Sequence, residues 1–159
     1  MYVLKPGIKH DPVRRWAPPD RIFFAHGACH ILAGSYLAAP PLPGFHAERI
    51  VPAAGFSGNH VYVTDGTVSF DYHGYALRDR LLAYHRKGWS ARSGQGWDCV
   101  VERVDFDLLS TAELNRRKML GPDQYGEDAG ARARRFIARI DHQTAAARAQ
   151  ARAAMTGTT

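Results

Sequence analysis

Residues with the chemistry of a nucleophile, a base and an acid follow one another along this chain. Cys29 opens an apolar run, His60 opens an alternating segment, and Asp71 closes the next one. A cysteine attacks a carbonyl when a nearby imidazole takes its proton and a carboxylate orients that imidazole. These residue types, in this order, indicate covalent catalysis by cysteine.

The histidine and the acid belong to one predicted β-hairpin. Residues 60–71 form two alternating runs around Asp65-Gly66, a strong signal for a hairpin with a two-residue turn. With that turn, His60 lies directly opposite Asp71, where a carboxylate fixes the tautomer of the ring and stabilises its protonated form. A purely structural pair is the alternative, because opposite charges are common across strands.

The cysteine is predicted to begin a buried helix. Residues 28–39 are almost entirely apolar, and Pro40 ends the run. A helix that is apolar nearly all round is buried, and Gly27 is an acceptable N-cap. Cys29 then lies in the first turn, where the helix dipole and free amides favour a thiolate and can stabilise an oxyanion.

Two other interpretations of the cysteines stay open. A lone cysteine is often inert core, which is the interpretation of Cys99 in its predicted strand. Residues 26–30, His-Gly-Ala-Cys-His, contain possible zinc ligands. Adjacent side chains on a helix point about 100° apart, and no Cys-x-x-Cys pair completes a zinc site. We therefore expect no metal and no cofactor.

The order of these elements resembles the papain-like cysteine hydrolase superfamily, especially its NlpC-type and transglutaminase-like branches, over residues 21–75. Gly27-Ala28-Cys29-His30 is similar to the start of the nucleophile helix, His60-Val61-Tyr62-Val63 to the strand of the base, and residues 70–74 to the strand of the orienting acid. The resemblance implies that Cys29 is the nucleophile, His60 the base and Asp71 the orienting acid. It also implies a papain-like core.

The chain departs from that family at one position. Many papain-like enzymes place a glutamine six residues before the nucleophile to help bind the oxyanion, and Phe23 stands there in this chain. The polar residues left as candidates for oxyanion or substrate contacts are His26, His30, His73 and Tyr62.

The pattern of the whole chain predicts a single α+β domain of 159 residues, with a central antiparallel β-sheet packed on the buried N-terminal helix and with C-terminal helices. An irregular arm spans residues 1–20, a catalytic-type core residues 21–126, and a basic helix and tail residues 127–159. Within these, we expect strands at 47–52, 60–72 and 99–106, helices at 28–39, 76–87, from 111 and at 127–154, and a loop at 90–96. The second half of the last helix has few apolar anchors and is expected to project from the body.

Composition limits the setting and the partners. The chain has no apolar run of membrane-spanning length, no signal-peptide pattern at its start and only two cysteines. We therefore expect no membrane association and a cytoplasmic protein with reduced thiols, although export without an N-terminal signal stays open. Its richness in alanine, arginine and glycine is typical of bacterial, GC-rich coding sequences.

The net charge of +6 leaves a nucleic-acid partner possible, although no recognised motif supports it. The leading hypothesis is a thiol hydrolase or acyltransferase acting on an amide, isopeptide or thioester bond of a protein or peptide-like substrate. The alternatives are a non-catalytic papain-like module that binds protein and a basic nucleic-acid-binding protein.

Overall fold

The computed structural model describes residue 5, residues 7–93 and residues 96–156. Parts of the predicted N-terminal arm, of the 90–96 loop and of the C-terminal tail lie outside the described residues. No helix in the described part of the chain is both long enough and apolar enough to cross a membrane.

The predicted α+β class is confirmed, with one five-stranded antiparallel sheet in the order β4-β3-β2-β1-β5. The strands are β1 (His46–Pro52), β2 (His60–Thr64), β3 (Val68–Asp71), β4 (Gly74–Leu77) and β5 (Cys99–Arg103). The helices are α1 (Pro12–Trp16), α2 (Asp20–Ala25), α3 (Cys29–Ala38), α4 (Arg78–Ser93), α5 (Thr111–Arg116), α6 (Ala129–Ala138) and α7 (His142–Thr156). A 3-10 turn, Ile8–His10, precedes α1.

Helix α3 lies at the centre of the main core. Its residues from His30 to Tyr36 are all buried, as expected of a helix without a polar face. It packs on β1, β2 and β3 on one side and on α6 on another. Gly34 permits a close approach of the segment after β5, because a Cβ at this position would lie 2.9 Å from the Leu108 Cβ. The packing therefore leaves little freedom for the position of Cys29.

The hairpin forms, but its predicted register is wrong. Val63 pairs with Phe70 and Thr64 with Ser69, so the turn is centred one residue later than Asp65-Gly66. The Asp65 side chain explains the difference, because its Oδ1 accepts hydrogen bonds from the amides of Thr67 and Val68. An Asx-type turn of this kind competes with the simple two-residue turn.

This shift places Asp71 diagonally to His60 rather than directly opposite it. Pairing across the hairpin moves by two positions in total, and a shift by an even number keeps each side chain on its original face. Diagonal partners in an antiparallel sheet remain within reach of long side chains. His60 and Asp71 are therefore in contact in the observed register as well.

A second tight turn adds a strand that the sequence analysis missed. Asp71 pairs with Gly74, and Gly74 adopts a φ of 97°, which suits glycine. The chain reverses there and forms β4 before α4 begins at Arg78, so the helix predicted over 76–87 starts later. It also runs to Ser93, across the first part of the predicted 90–96 loop.

The predicted C-terminal helix is divided in two, with residues 139–141 between α6 and α7. The described part of α7 does not project as expected. Its Ala146 and Ala149 are buried against Val68 of β3, and the Tyr75 hydroxyl donates to Nδ1 of His142 over 2.8 Å. Small alanine side chains allow close packing of the helix on the sheet without a conventional apolar stripe.

The N-terminal arm is more regular than predicted, since it contains α1 and leads directly into α2. Trp16 packs edge-on against Phe23 of α2. Arg132 of α6 donates to the carbonyl oxygens of Trp16 and Pro18 and pairs with Asp20. These contacts join the arm to the C-terminal part of the core.

Candidate active site

Three separate elements bring the predicted catalytic residues together. Cys29 is the first residue of α3, His60 the first of β2 and Asp71 the last of β3. His60 and Asp71 are 2% and 3% exposed, whereas Cys29 is partly exposed. The arrangement combines a buried imidazole–carboxylate pair with a cysteine that lines a cleft.

Asp71 orients the His60 ring. The Nε2 of His60 lies 3.1 Å from Oδ2 of Asp71, and an ionised carboxylate only accepts, so Nε2 carries the proton. The backbone amide of His73 donates to Oδ1 over 2.7 Å, and Nδ1 of His73 lies 3.4 Å from the same oxygen. Burial raises the pKa of Asp71, but its contacts with His60 and His73 outweigh that effect and hold it well below 3.8.

This hydrogen bond leaves Nδ1 of His60 to interact with the thiol. Burial lowers the pKa of His60, but the hydrogen bonds and charges of Asp71 and Cys29 raise it from 6.5 to about 9. At neutral pH the ring is therefore predominantly an imidazolium. It can transfer its second proton to a leaving group on the side that faces Cys29.

The thiol of Cys29 has the complementary shift. Burial raises its pKa, but interactions with the rings of His30 and His60 lower it to about 5. The two directions agree, since an imidazolium favours a thiolate and a thiolate favours an imidazolium. The two shifts together favour an ion pair of thiolate and imidazolium at neutral pH, which is the state that nucleophilic cysteines require.

The start of α3 offers backbone donors beside the sulfur. The N-cap residue is Ala28 rather than the predicted Gly27, and no side chain among the described residues caps the first turn. Gly27 adopts a φ of 127°, and the Tyr125 hydroxyl donates to its carbonyl oxygen over 2.5 Å. The approach to the helix is thus fixed, and the amide of Cys29 at the positive end of the helix suits a developing oxyanion.

His85 of α4 packs against the His60 ring. It is 3% exposed, its ring stacks on that of His60 at 4.4 Å, and neither ring nitrogen has a hydrogen-bond partner among the described residues. Burial, followed by the charge of His60, lowers the pKa of His85 to about 3. A neutral ring therefore lies flat against the imidazolium.

His60, Asp71 and His85 are also a group that could hold a metal ion, with ligand atoms within 4.8 Å of one another. The ring geometry argues against a shared ion. An imidazole binds a metal in its own plane, and the planes of the two stacked rings are only 22° from parallel. The nitrogen nearest the carboxylate already donates to it. The geometry fits proton transfer better than metal coordination.

A cleft of about 650 Å³ opens over Cys29. Its walls come from α1, the segment before α3, the segment before β2, α4 and the turn after α5. Gly58 has a φ of 119°, and a Cβ there would lie 2.8 Å from the Trp89 ring, so glycine allows this wall to form. The cleft gives a carbonyl substrate a route to the sulfur.

The four further candidates lie in different places. His26 and His30 line the cleft, and Nε2 of His30 donates to the Leu120 carbonyl over 2.7 Å. His73 holds Asp71 instead of lining the cleft. Tyr62 is fully buried and donates to Glu48, away from the cleft.

Sequence reasoning did not predict two contacts of the candidate residues. His30 was expected to contact oxyanion or substrate, and its ring also lowers the pKa of the Cys29 thiol. His85 was not singled out, although its spacing of four from the buried Leu81 puts both on one helix face. That spacing was the available signal.

In comparisons with known proteins, no family model, no curated protein and no solved structure matches the chain. The papain-like resemblance thus gains no support from a relative. The functional argument rests on the geometry of Cys29, His60 and Asp71.

Proposed function

We propose that this protein is a cysteine-dependent hydrolase or acyltransferase that acts on an amide, isopeptide or thioester bond. The observation that carries the proposal is the convergence of a partly exposed thiol at a helix start with a buried histidine held by a buried carboxylate. Most structural cysteines have neither a charged partner nor access to a cleft.

The geometry supports a two-step reaction. The Cys29 thiolate attacks the substrate carbonyl, and the backbone amide of Cys29 stabilises the oxyanion. His60 then donates its Nδ1 proton to the leaving amine or thiol as the carbon–leaving group bond breaks, which leaves an acyl-thioester on Cys29 and a neutral imidazole. Water or an acceptor amine gives a proton to that imidazole, attacks the thioester and restores the thiolate. Asp71 keeps the ring oriented through both steps.

An activated ester provides a direct test, since it needs no knowledge of the natural substrate. We expect p-nitrophenyl acetate to acetylate Cys29, visible in the intact mass and located by peptide mapping, with slow release of acetate. Cys29→Ala should abolish the adduct, and Cys99→Ala is the matched control that should retain it. An adduct confined to Cys99, or none with folded protein, contradicts the proposal.

A non-catalytic binding module is the main alternative, and the same test separates it, because such a module leaves Cys29 unacylated. The nucleic-acid alternative is weaker. Arg132 and Arg139 of the basic C-terminal segment both pair with Asp20 of α2. Their charges therefore stabilise the packing of α6 on the arm. A phosphate would have to compete with Asp20 for both arginines.

A further inference from the structure

The charged residues that line the cleft over Cys29 are basic. Arg15 of α1 and Lys118 of the turn after α5 line it, together with His26 and His30. None of the described residues that line it is acidic. Among the described residues, neither Arg15 nor Lys118 forms an ion pair, so no carboxylate neutralises either charge at the cleft. These two cations are therefore left to face the cleft.

The backbone at Lys118 points to a specific use of that side chain. Its φ of 59° is the only positive value at a non-glycine residue in the described part of the chain. The amide of Lys118 donates to Asn115 and that of Met119 to Leu114, so Lys118 occupies the left-handed position that ends α5. Glycine or asparagine is preferred there because a Cβ is strained. Folding alone does not favour a lysine at this position.

The strained turn is tied to the nucleophile. Leu120, two residues after Lys118, accepts the hydrogen bond from Nε2 of His30, and His30 follows Cys29 directly. The position of the turn that carries Lys118 is thereby fixed relative to the sulfur. Strain of this kind concentrates where a binding surface requires it.

We propose that the cleft selects a substrate with an anionic group, a carboxylate or a phosphate, next to the scissile carbonyl, and that Lys118 and Arg15 bind this group. The inference rests on the proposed function and adds the class of substrate. Both cations attract an anion as it enters the cleft.

A pair of matched reagents measures the charge at the sulfur directly. Iodoacetate and iodoacetamide alkylate a thiolate by the same displacement of iodide, and only the first carries a negative charge. The ratio of their rates at Cys29 reports the local potential, and the contribution of the His60 imidazolium is common to every variant. Lys118→Gly and Arg15→Gln should each lower the iodoacetate-to-iodoacetamide ratio by about three-fold, the effect of one nearby charge in partly solvated surroundings.

The controls separate charge from structure. Lys87→Gln removes the same charge from an exposed position outside the cleft and should leave the ratio unchanged. Lys118→Gly should also raise the melting temperature by roughly 2–4 °C, because glycine removes the strain of a Cβ at a left-handed position. A variant that is more stable and yet less selective for the anion shows that the lysine acts on the cleft and not on the fold.

The outcomes distinguish this inference from the proposed function. If iodoacetamide labels Cys29 no faster than Cys99 at pH 6, the nucleophile itself fails. If Cys29 reacts rapidly but the ratio is the same in Lys118→Gly, Arg15→Gln and wild type, only the anionic substrate is overturned. If the ratio falls in both variants, a competition experiment identifies the anion. Glutarate, inorganic phosphate or both should protect Cys29 from iodoacetate, and protection by neither overturns the inference.

Discussion

The two cysteines of this chain lie in opposite environments. Both are partly exposed, yet Cys29 begins a helix beside two imidazoles and Cys99 begins the edge strand β5. The pKa of Cys29 falls to about 5, whereas burial and the neighbouring Asp98 raise that of Cys99 above 9.0. The difference in pKa therefore comes from the surroundings of each thiol. Single substitutions can test which neighbouring residues cause it.

The largest expected effect comes from removing the orienting acid. Asp71→Asn leaves the shape of the site nearly intact but removes the charge that stabilises the His60 imidazolium. Turnover of an activated ester by Cys29 should fall by about 10²–10⁴, measured as release of nitrophenol. Cys99→Ser is the control that should retain full turnover. An Asp71→Asn enzyme with wild-type turnover would remove Asp71 from the mechanism.

A change in packing should affect one cysteine and spare the other. Gly34→Ala introduces a methyl group 2.9 Å from the Leu108 Cβ, so either α3 or the segment that carries Leu108 must shift. Overpacking of this kind costs about 1–3 kcal/mol of unfolding free energy, measurable by urea denaturation. The alkylation rate of Cys29 should change with it, because the cysteine begins that helix, and that of Cys99 should not. Equal changes at both cysteines contradict a local effect.

The reactivity contrast itself should be clearest under mild acid. At pH 6, the lowered pKa of Cys29 leaves most of it as thiolate, whereas the raised pKa of Cys99 leaves almost all of it as thiol. The lower basicity of the Cys29 thiolate reduces its intrinsic nucleophilicity, but by less than the gain in thiolate, so iodoacetamide should label Cys29 several-fold faster, on the order of ten-fold. The rate at Cys29 should then be nearly flat up to pH 8, whereas that at Cys99 should keep rising. Parallel pH profiles would contradict the assignment.

The protonation of the base gives the smallest and most specific signal. In Asp71→Asn, the pKa of His60 should fall from about 9 towards 6.5, as followed by NMR titration of the ring. The raised pKa of His60 adds stability that is complete below pH 6.5 and is lost as the pH rises through 9. The lowered pKa of Asp71 adds stability that is present above 3.8 and is lost as the pH falls.

The lowered pKa of Cys29 acts in the opposite sense, because it adds stability that grows as the pH rises from about 5 to 9.0. The contributions of Cys29 and His60 therefore largely offset each other between pH 6.5 and pH 9 in the wild-type protein. In Cys29→Ala, the loss of stability through His60 should be visible over this range, and in the double variant Cys29→Ala/Asp71→Asn it should be smaller. Chemical denaturation at several pH values measures the difference. An identical pH dependence in these two variants, with the hairpin intact, means that the pair of His60 and Asp71 does not couple to folding.

Several elements could be predicted from local sequence. The apolar run from residue 28 to residue 39 predicts α3 almost to its ends, and the helix places Cys29 in its first turn. Alternating residues on both sides of Asp65-Gly66 predict β2 and β3 and put His60 and Asp71 on one face. These features depend on periodicity and on strong turn or helix stop signals, which short segments carry by themselves.

Other features depend on contacts that no local pattern reports. The side chain of Asp65 shifts the register of the hairpin, and Gly74 adds a strand where helix was predicted. The alanines of α7 pack on β3 although their pattern suggested a projecting helix. In each case a tertiary or side-chain contact outweighs the intrinsic preference of the segment.

The sequence by itself determined which groups are available for chemistry: a thiol at a helix start, and an imidazole and a carboxylate on one face of a hairpin. Only the tertiary structure decided their environment. His30 and His60 reach the sulfur, His85 stacks on His60, and Lys118 is held at the cleft, because α3, α4 and the turn after α5 meet there. Proton affinity and charge depend on distance and burial, and these are set by residues far apart in the chain.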